Sequence, residues 1–96
     1  MSRPEKLTDA AIIAALAELG GWERQGDKLH KTFVFADFSE AWGFMSRAAL
    51  AAEKMDHHPE CFNVYRTVKV DLNTHDAGGI TTLDIDLARA MNRLAP

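Results

Sequence analysis

Ala51-Ala52-Glu53-Lys54-Met55-Asp56-His57-His58-Pro59-Glu60-Cys61-Phe62-Asn63-Val64-Tyr65 joins a helix-forming run to an alternating apolar one through a proline. Proline lacks a backbone donor and pushes the preceding residue into extended geometry, so a helix arriving through Ala51 to Lys54 must end here. Two of the chain's four histidines, His57 and His58, occupy the junction. Successive side chains of an extended segment point in different directions, so this pair suits two roles better than a shared one. Imidazole titrates near neutrality and can give and take protons at cellular pH. A histidine at a helix end can also be a surface residue that complements the helix dipole, and the pair admits either reading.

Downstream, in Phe62 to Asn73, the apolar Val64, Val68, Val70 and Leu72 alternate with polar residues, the period of a half-buried strand. The run is long for one strand, and Arg66 breaks its apolar register, so a bend or hairpin is expected near Tyr65-Arg66-Thr67. His75 follows at the strand end, before the loop Asp76-Ala77-Gly78-Gly79. Thr81, with Asp84 three positions on, marks the start of a last helix running to about Leu94. Its apolar face is Leu87, Ala88, Met91 and Leu94, and at 100° per residue Asp84 projects onto that same face. An inward carboxylate needs a partner, and the helix cap or a nearby histidine could supply one.

Upstream, Asp37-Phe38-Ser39-Glu40 has capping-box spacing, so a central helix should start there and run to about Lys54. Spacing gives it two apolar stripes: Phe38, Trp42, Met45, Ala49 and Ala52 on one side, Phe44, Ala48, Ala51 and Met55 on another. A small sheet covers only one, which leaves the other as a subunit interface or as part of a wide core-facing arc. A first helix capped by Thr8 carries Ile12, Ala15, Leu16 and Leu19 and should end at Gly20-Gly21. Trp22 to Gln25 and Leu29 to Phe35 read as strands about a Gly26-Asp27 turn. Leu29, Phe33 and Phe35 share a face with Lys31 as the exception, and His30 falls on the other face as a solvated residue.

A length of 96 residues bounds the chain to one domain, residues 1–96, and 47% apolar residues can build a core. A domain of this size often gains stability by association. The net charge of -3, with no long Lys/Arg run, argues against direct nucleic-acid or anionic-membrane binding. One cysteine rules out an internal disulfide framework, and no stretch has the length of a membrane span or signal peptide, so a cytoplasmic protein is expected.

The chemistry converges on His57, His58, His75 and Asp84, with Glu53 near in sequence. Three imidazoles and a carboxylate are adequate metal ligands, but their spacing matches no established zinc pattern and adjacent histidines diverge. Ser39 and Ser46 have no base signal beside them, Cys61 has no activating context, and Gly78-Gly79 alone is no phosphate loop.

Taken together, Ala52 to Glu60, Phe62-Asn63-Val64-Tyr65, Thr74 to Gly79 and Asp84-Ile85-Asp86-Leu87-Ala88 closely resemble the pterin-4a-carbinolamine dehydratase family, with further similarity at Gly21-Trp22 and from Phe38 to Arg47. The resemblance implies an α+β fold, a four-stranded antiparallel sheet with about three helices on one face. It implies dehydration of a 4a-hydroxytetrahydropterin to quinonoid dihydropterin, without metal or cofactor, in tetrahydropterin recycling beside an aromatic amino acid hydroxylase. Carried onto this chain, it makes His57 and His75 candidate acids, one for each pterin face, and His58 the base or an orienting group. Asp84 would orient an imidazole, and Glu53, His58, Pro59, Cys61, Asn73 and Thr74 would contact substrate. Family members form homodimers or homotetramers, and some also serve as dimerisation cofactors of a homeodomain transcription factor, so a non-catalytic adaptor working through the central helix is the alternative. Cys61 departs from the tryptophan common in relatives, and Arg66-Thr67 from their asparagine-containing turn.

Overall fold

The computed structural model describes residues 4–96. Three helices lie with a four-stranded antiparallel sheet of order β1-β2-β4-β3: α1 (Asp9–Leu16), β1 (Glu23–Gln25), β2 (Lys28–Val34), α2 (Phe38–Met55), β3 (Glu60–Val64), β4 (Thr67–Leu72) and α3 (Thr82–Leu94). Among the described residues no helix is long and apolar enough to cross a membrane.

Thr8 caps α1 by accepting from the Ala11 amide at 3.2 Å. The helix ends at Leu16, short of the expected Gly20-Gly21, because the next amides take tighter i−3 partners: Glu18 donates to the Ala15 carbonyl and Leu19 to that of Leu16. This tightened exit lets Leu19 and Trp22 both enter the core, and Gly21 reverses the chain at φ +84°. Trp22 lies just outside β1, its indole N–H donating to Asn92 Oδ1 at 2.9 Å.

Central strands β2 and β4 bury one face: Leu29 opposes Leu72 and Phe33 opposes Val68, all inside the core. Phe33, Phe35 and the α2 residue Phe44 form an aromatic cluster, with Phe44 centroids 4.7 and 5.0 Å from the other two rings. Lys31 shares that inward face and is accommodated by its head group. Its ammonium donates to the Gly20 carbonyl and to Asn92 Oδ1 and lies 4.5 Å from the Phe33 ring centroid, while partial burial lowers its pKa. His30 sits on the open face as expected, but is not simply solvated, since its Nδ1 lies 2.9 Å from Asp71 of the neighbouring strand.

Asp37 caps α2 by accepting from the Glu40 amide at 2.8 Å, and Glu40 reaches back to the Ala36 amide at 2.9 Å, one residue upstream of an ordinary capping box. The core-facing set is Ala41, Phe44, Ala48 and Ala52, which draws from both expected stripes and adds Ala41. Phe38 and Trp42 are instead 48% and 57% exposed, their rings 5.7 Å apart, a bare aromatic strip near the helix start.

The long alternating run is a hairpin, turning where Arg66 breaks its apolar register. Val64 pairs directly with Thr67, leaving a two-residue loop at Tyr65-Arg66. Tyr65 takes φ +52°, where a two-residue hairpin normally places glycine, and the Asn63 amide steadies the loop by donating to the Tyr65 and Thr67 carbonyls. The asparagine signal thus lies just before the turn rather than within it.

Register decides what the fold brings together. Glu60, the first residue of β3, pairs with Asp71 near the end of β4. The segment leaving α2, His57-His58-Pro59, therefore lies beside the segment leaving β4, Asn73-Thr74-His75. At the α2 end Asp56 adopts a left-handed conformation and the His57 amide bonds back to the Ala52 carbonyl, so the chain turns off the helix at the imidazole pair.

Candidate active site

His75 follows the end of β4 and opens a single 3-10 turn, His75–Ala77, closed by left-handed Gly78. The Thr74 amide then bonds the Gly79 carbonyl at 2.8 Å, and this short loop returns the chain so that Thr81 stands beside Thr74 at the start of α3.

Asp84 is the hub. It is fully buried, and its carboxylate is met by donors: Oδ2 accepts from the Thr74 hydroxyl at 2.9 Å and from the Thr81 amide at 2.9 Å. Its other oxygen, Oδ1, lies 2.6 Å from His57 Nε2. The two sequence readings of Asp84, helix cap and imidazole partner, hold at once through different oxygens. Since the Thr74 hydroxyl donates to Asp84, its 2.8 Å contact with Thr81 is made by the Thr81 hydroxyl donating, and Thr81 Oγ1 in turn accepts from the Leu83 amide. A carboxylate so supplied tolerates burial that an unpaired one would not. With Asp84 ionised, Nε2 of His57 carries hydrogen, so any proton that His57 exchanges moves at Nδ1.

His57 is 4% exposed and His58 faces outward, as adjacent positions after a helix should. His58 Nε2 pairs with Glu53 Oε1 at 2.7 Å, a link between the last turn of α2 and the residue just past it. His75 is exposed, its Nε2 4.0 Å from Glu60, whose carboxylate is held at 2.9 and 3.1 Å by Lys28. That ion pair raises the Lys28 pKa.

A polar cleft of about 240 Å³ is lined by His57, His58, Asn73, Thr74, His75 and Asp76. The three imidazoles expected to act together thus border one space, with Asp84 behind it. Asn73 contributes a buried Oδ1 with no hydrogen-bond partner, an acceptor aligned with no protein donor. Next to the cleft an apolar groove of about 310 Å³ is lined by Met45, Ala48, Ala49, Ala52, Glu53, His58, Pro59 and Cys61, which separates Glu53, Pro59 and Cys61 from the polar set. Cys61 is exposed at the groove's rim, and partial desolvation there raises its thiol pKa, so it stays protonated at neutral pH. A larger concavity of about 500 Å³, bordered by Pro4, Glu5, Lys6, Asp76 and Ala77, holds none of the imidazoles. Among the described residues no group of three or more His, Cys, Asp or Glu side chains is placed to hold a metal ion.

Sequence reasoning named Thr81 as a helix cap, which holds, but not as an extension of the Asp84 network, and it did not single out Asp76, which borders the cleft and whose only sign was adjacency to His75.

The arrangement offers proton donors and acceptors around a small polar space, with two imidazoles backed by carboxylates. Comparison with known proteins places it. The family model described as pterin 4 alpha carbinolamine dehydratase matches residues 5–94. A protein of Mesorhizobium japonicum bearing the name pterin-4-alpha-carbinolamine dehydratase is 63% identical over 90 residues, covering 92% of each chain. One of that name from Bradyrhizobium diazoefficiens is 63% identical over 93 residues, covering 95% of this chain and 93% of its own. A crystal structure described as a transcriptional coactivator/pterin dehydratase from Brucella melitensis superposes with a TM-score of 0.94 at 48% identity, covering 96% of this chain and all of that one.

Proposed function

This chain belongs to the pterin-4a-carbinolamine dehydratase family and is a hydro-lyase that converts a 4a-hydroxytetrahydropterin to quinonoid dihydropterin and water; on that premise we propose how its histidines divide the work. The C4a–O bond breaks as the N5 lone pair forms the C4a=N5 bond. The hydroxyl leaves with a proton from an acid, and the N5 proton passes to a base.

The observation that carries the proposal is the convergence of His57, His58 and His75 on one cleft. His57 and His75 act as acids toward the C4a hydroxyl, each serving one face of the ring, and their separate chain segments support that division. His58 is the base at N5, its ring held by the Nε2 contact with the Glu53 carboxylate at 2.7 Å. Asp84 is a positioning residue that fixes the His57 tautomer. Asn73 Oδ1 accepts from an N–H edge of the pterin, which would satisfy a buried acceptor that otherwise has no partner. Replacing His57, His58 and His75 singly by Ala and following dehydration of both 4a epimers tests the assignment. The expected result is loss of one epimer's acceleration with His57→Ala, of the other's with His75→Ala, and of both with His58→Ala. Undiminished turnover in all three variants removes the site.

The exposed Phe38 and Trp42 favour a homodimer or homotetramer joined through α2. The same strip would serve a partner protein in the second, adaptor reading, with which the Brucella protein's description as a transcriptional coactivator is in keeping. A lone cysteine is in keeping with work in the cytoplasm, beside the hydroxylase that generates the carbinolamine.

A further inference from the structure

We infer that Glu60, held by Lys28, is the positioning residue of His75 and does for that imidazole what Asp84 does for His57. The inference rests on the proposal above that His75 is one of the acids, and adds to it an ion pair of which neither member lines the cleft.

A pattern shared by the three rings is the first ground. Each turns Nε2 toward a carboxylate: His57 toward Asp84 at 2.6 Å, His58 toward Glu53 at 2.7 Å and His75 toward Glu60 at 4.0 Å. Only the third gap is too long for a hydrogen bond, and His75 is also the least packed of the three, 82% of its side chain being exposed. Catalytic hydrogen bonds are often long in a free enzyme and tighten when substrate arrives. Closing by about 1 Å lets Glu60 accept from Nε2–H. An imidazole acting as an acid carries hydrogen on both nitrogens, so His75 then delivers its Nδ1 proton to the departing C4a hydroxyl. The ring is left neutral, with its Nε2 hydrogen still directed at Glu60.

The second ground is how Glu60 is held. Lys28 opens β2, Glu60 opens β3, and β4 lies between those strands in the sheet. The Lys28 ammonium reaches across the end of β4 and donates to both Glu60 oxygens, at 2.9 and 3.1 Å. Asp71 of β4, paired in register with Glu60, adds its negative charge to the attraction on the ammonium. The pair therefore straddles the point where the chain leaves the sheet for Asn73, Thr74 and His75. A surface ion pair contributes little to stability, but holding both oxygens on one ammonium fixes where Oε2 stands, and Oε2 is the atom nearest His75.

The test follows kcat for both 4a epimers in single and double variants. An exposed ring has about three χ1 wells and two orientations about χ2, so without Glu60 the delivering orientation is about one in six. Glu60→Ala should lower turnover of the epimer that His75→Ala slows by about sixfold and leave the other within about twofold. The thermal midpoint should stay within about 4 °C of wild type. In a His75→Ala background Glu60→Ala should cost nothing further, because the two act as one unit. Lys28→Met should slow the same epimer, and Lys28→Arg should restore it. Glu60→Ala as fast as wild type beside a His75→Ala that has lost one epimer, an equal loss on both epimers, an additive loss in the double variant, or Lys28→Met equal to wild type overturns the inference. A wild-type protein that accelerates neither epimer overturns the dehydratase reading instead, and a His75→Ala protein as fast as wild type on both overturns His75 as an acid.

Discussion

Asp84→Asn removes one charge from the hub and almost no volume. The amide can keep only one of the two oxygen roles. If its oxygen stays toward the Thr74 hydroxyl and the Thr81 amide, both 2.9 Å from Oδ2, its NH2 faces His57 Nε2, 2.6 Å from Oδ1. Two donors cannot share that contact, so His57 must move its hydrogen to Nδ1, which is where proton exchange with substrate was assigned. With a donor facing Nε2 the ring cannot hold hydrogen on both nitrogens, and a neutral ring that gave up its Nδ1 hydrogen would become an imidazolate, so His57 forfeits its share of general acid catalysis, about 10²- to 10⁴-fold, and kcat for the epimer it serves should fall at least about a hundredfold. Loss of a charge-assisted hydrogen bond should cost about 1.5–3 kcal/mol of stability, and at about 4–8 °C per kcal/mol the midpoint should fall by about 6–24 °C while the fold survives. Stopped-flow absorbance on both epimers, with thermal denaturation of the same preparation, measures the two quantities. A variant that turns over both epimers within threefold of wild type, with the stability loss in place, refutes the positioning argument and leaves Asp84 as a helix cap alone.

Thr81→Ala removes the acceptor of the Leu83 amide and the donor to Thr74, and should cost about 1–2 kcal/mol in chemical denaturation; a change below half a kcal/mol would contradict the network. Tyr65→Gly relieves the φ of +52° at an exposed loop position and should raise stability by about 1 kcal/mol; a loss would place the Tyr65 ring among the stabilising contacts. Burial raises the Cys61 pKa above its reference of 9.0, so the thiolate is scarce at neutral pH and alkylation by iodoacetamide should be slow at pH 7 and accelerate only above about pH 9. A rate at pH 7 equal to that of a free thiol at pH 8.5 would rule out the raised pKa. Trp42→Glu places charge on the bare α2 strip and should lower the sedimentation coefficient at micromolar concentration; an unchanged value would move the interface elsewhere.

Much of this architecture was legible because it is locally specified. Thr8, Asp37 and Thr81 announce helix starts through side-chain caps, and the alternation of Val68, Val70 and Leu72 announces a half-buried strand whatever lies around it. The burial of Asp84 followed from angular position alone. What escaped depends on tertiary context. Whether α1 continues past Leu16 is decided by the reach of Leu19 and Trp22 into the core, and which arc of α2 is buried is decided by the aromatic cluster that receives Phe44. Lys31 looked like a flaw in an apolar register because its partners, Gly20 and Asn92, lie on other elements. The site divides in the same way. Its imidazoles could be named from type and spacing, whereas the separation of a polar cleft from an apolar groove, with Cys61 and Pro59 in the second, follows only from how α2 passes the edge of β3.

Asp84 ties the first turn of a helix to the ring of a proton donor with one carboxylate. Fraying at that helix end would disarm the histidine in the same event, so the population of competent molecules is governed by a local opening equilibrium as well as by global unfolding. Substitutions elsewhere that only loosen the beginning of α3 should then depress turnover at temperatures where spectroscopy still finds the chain folded.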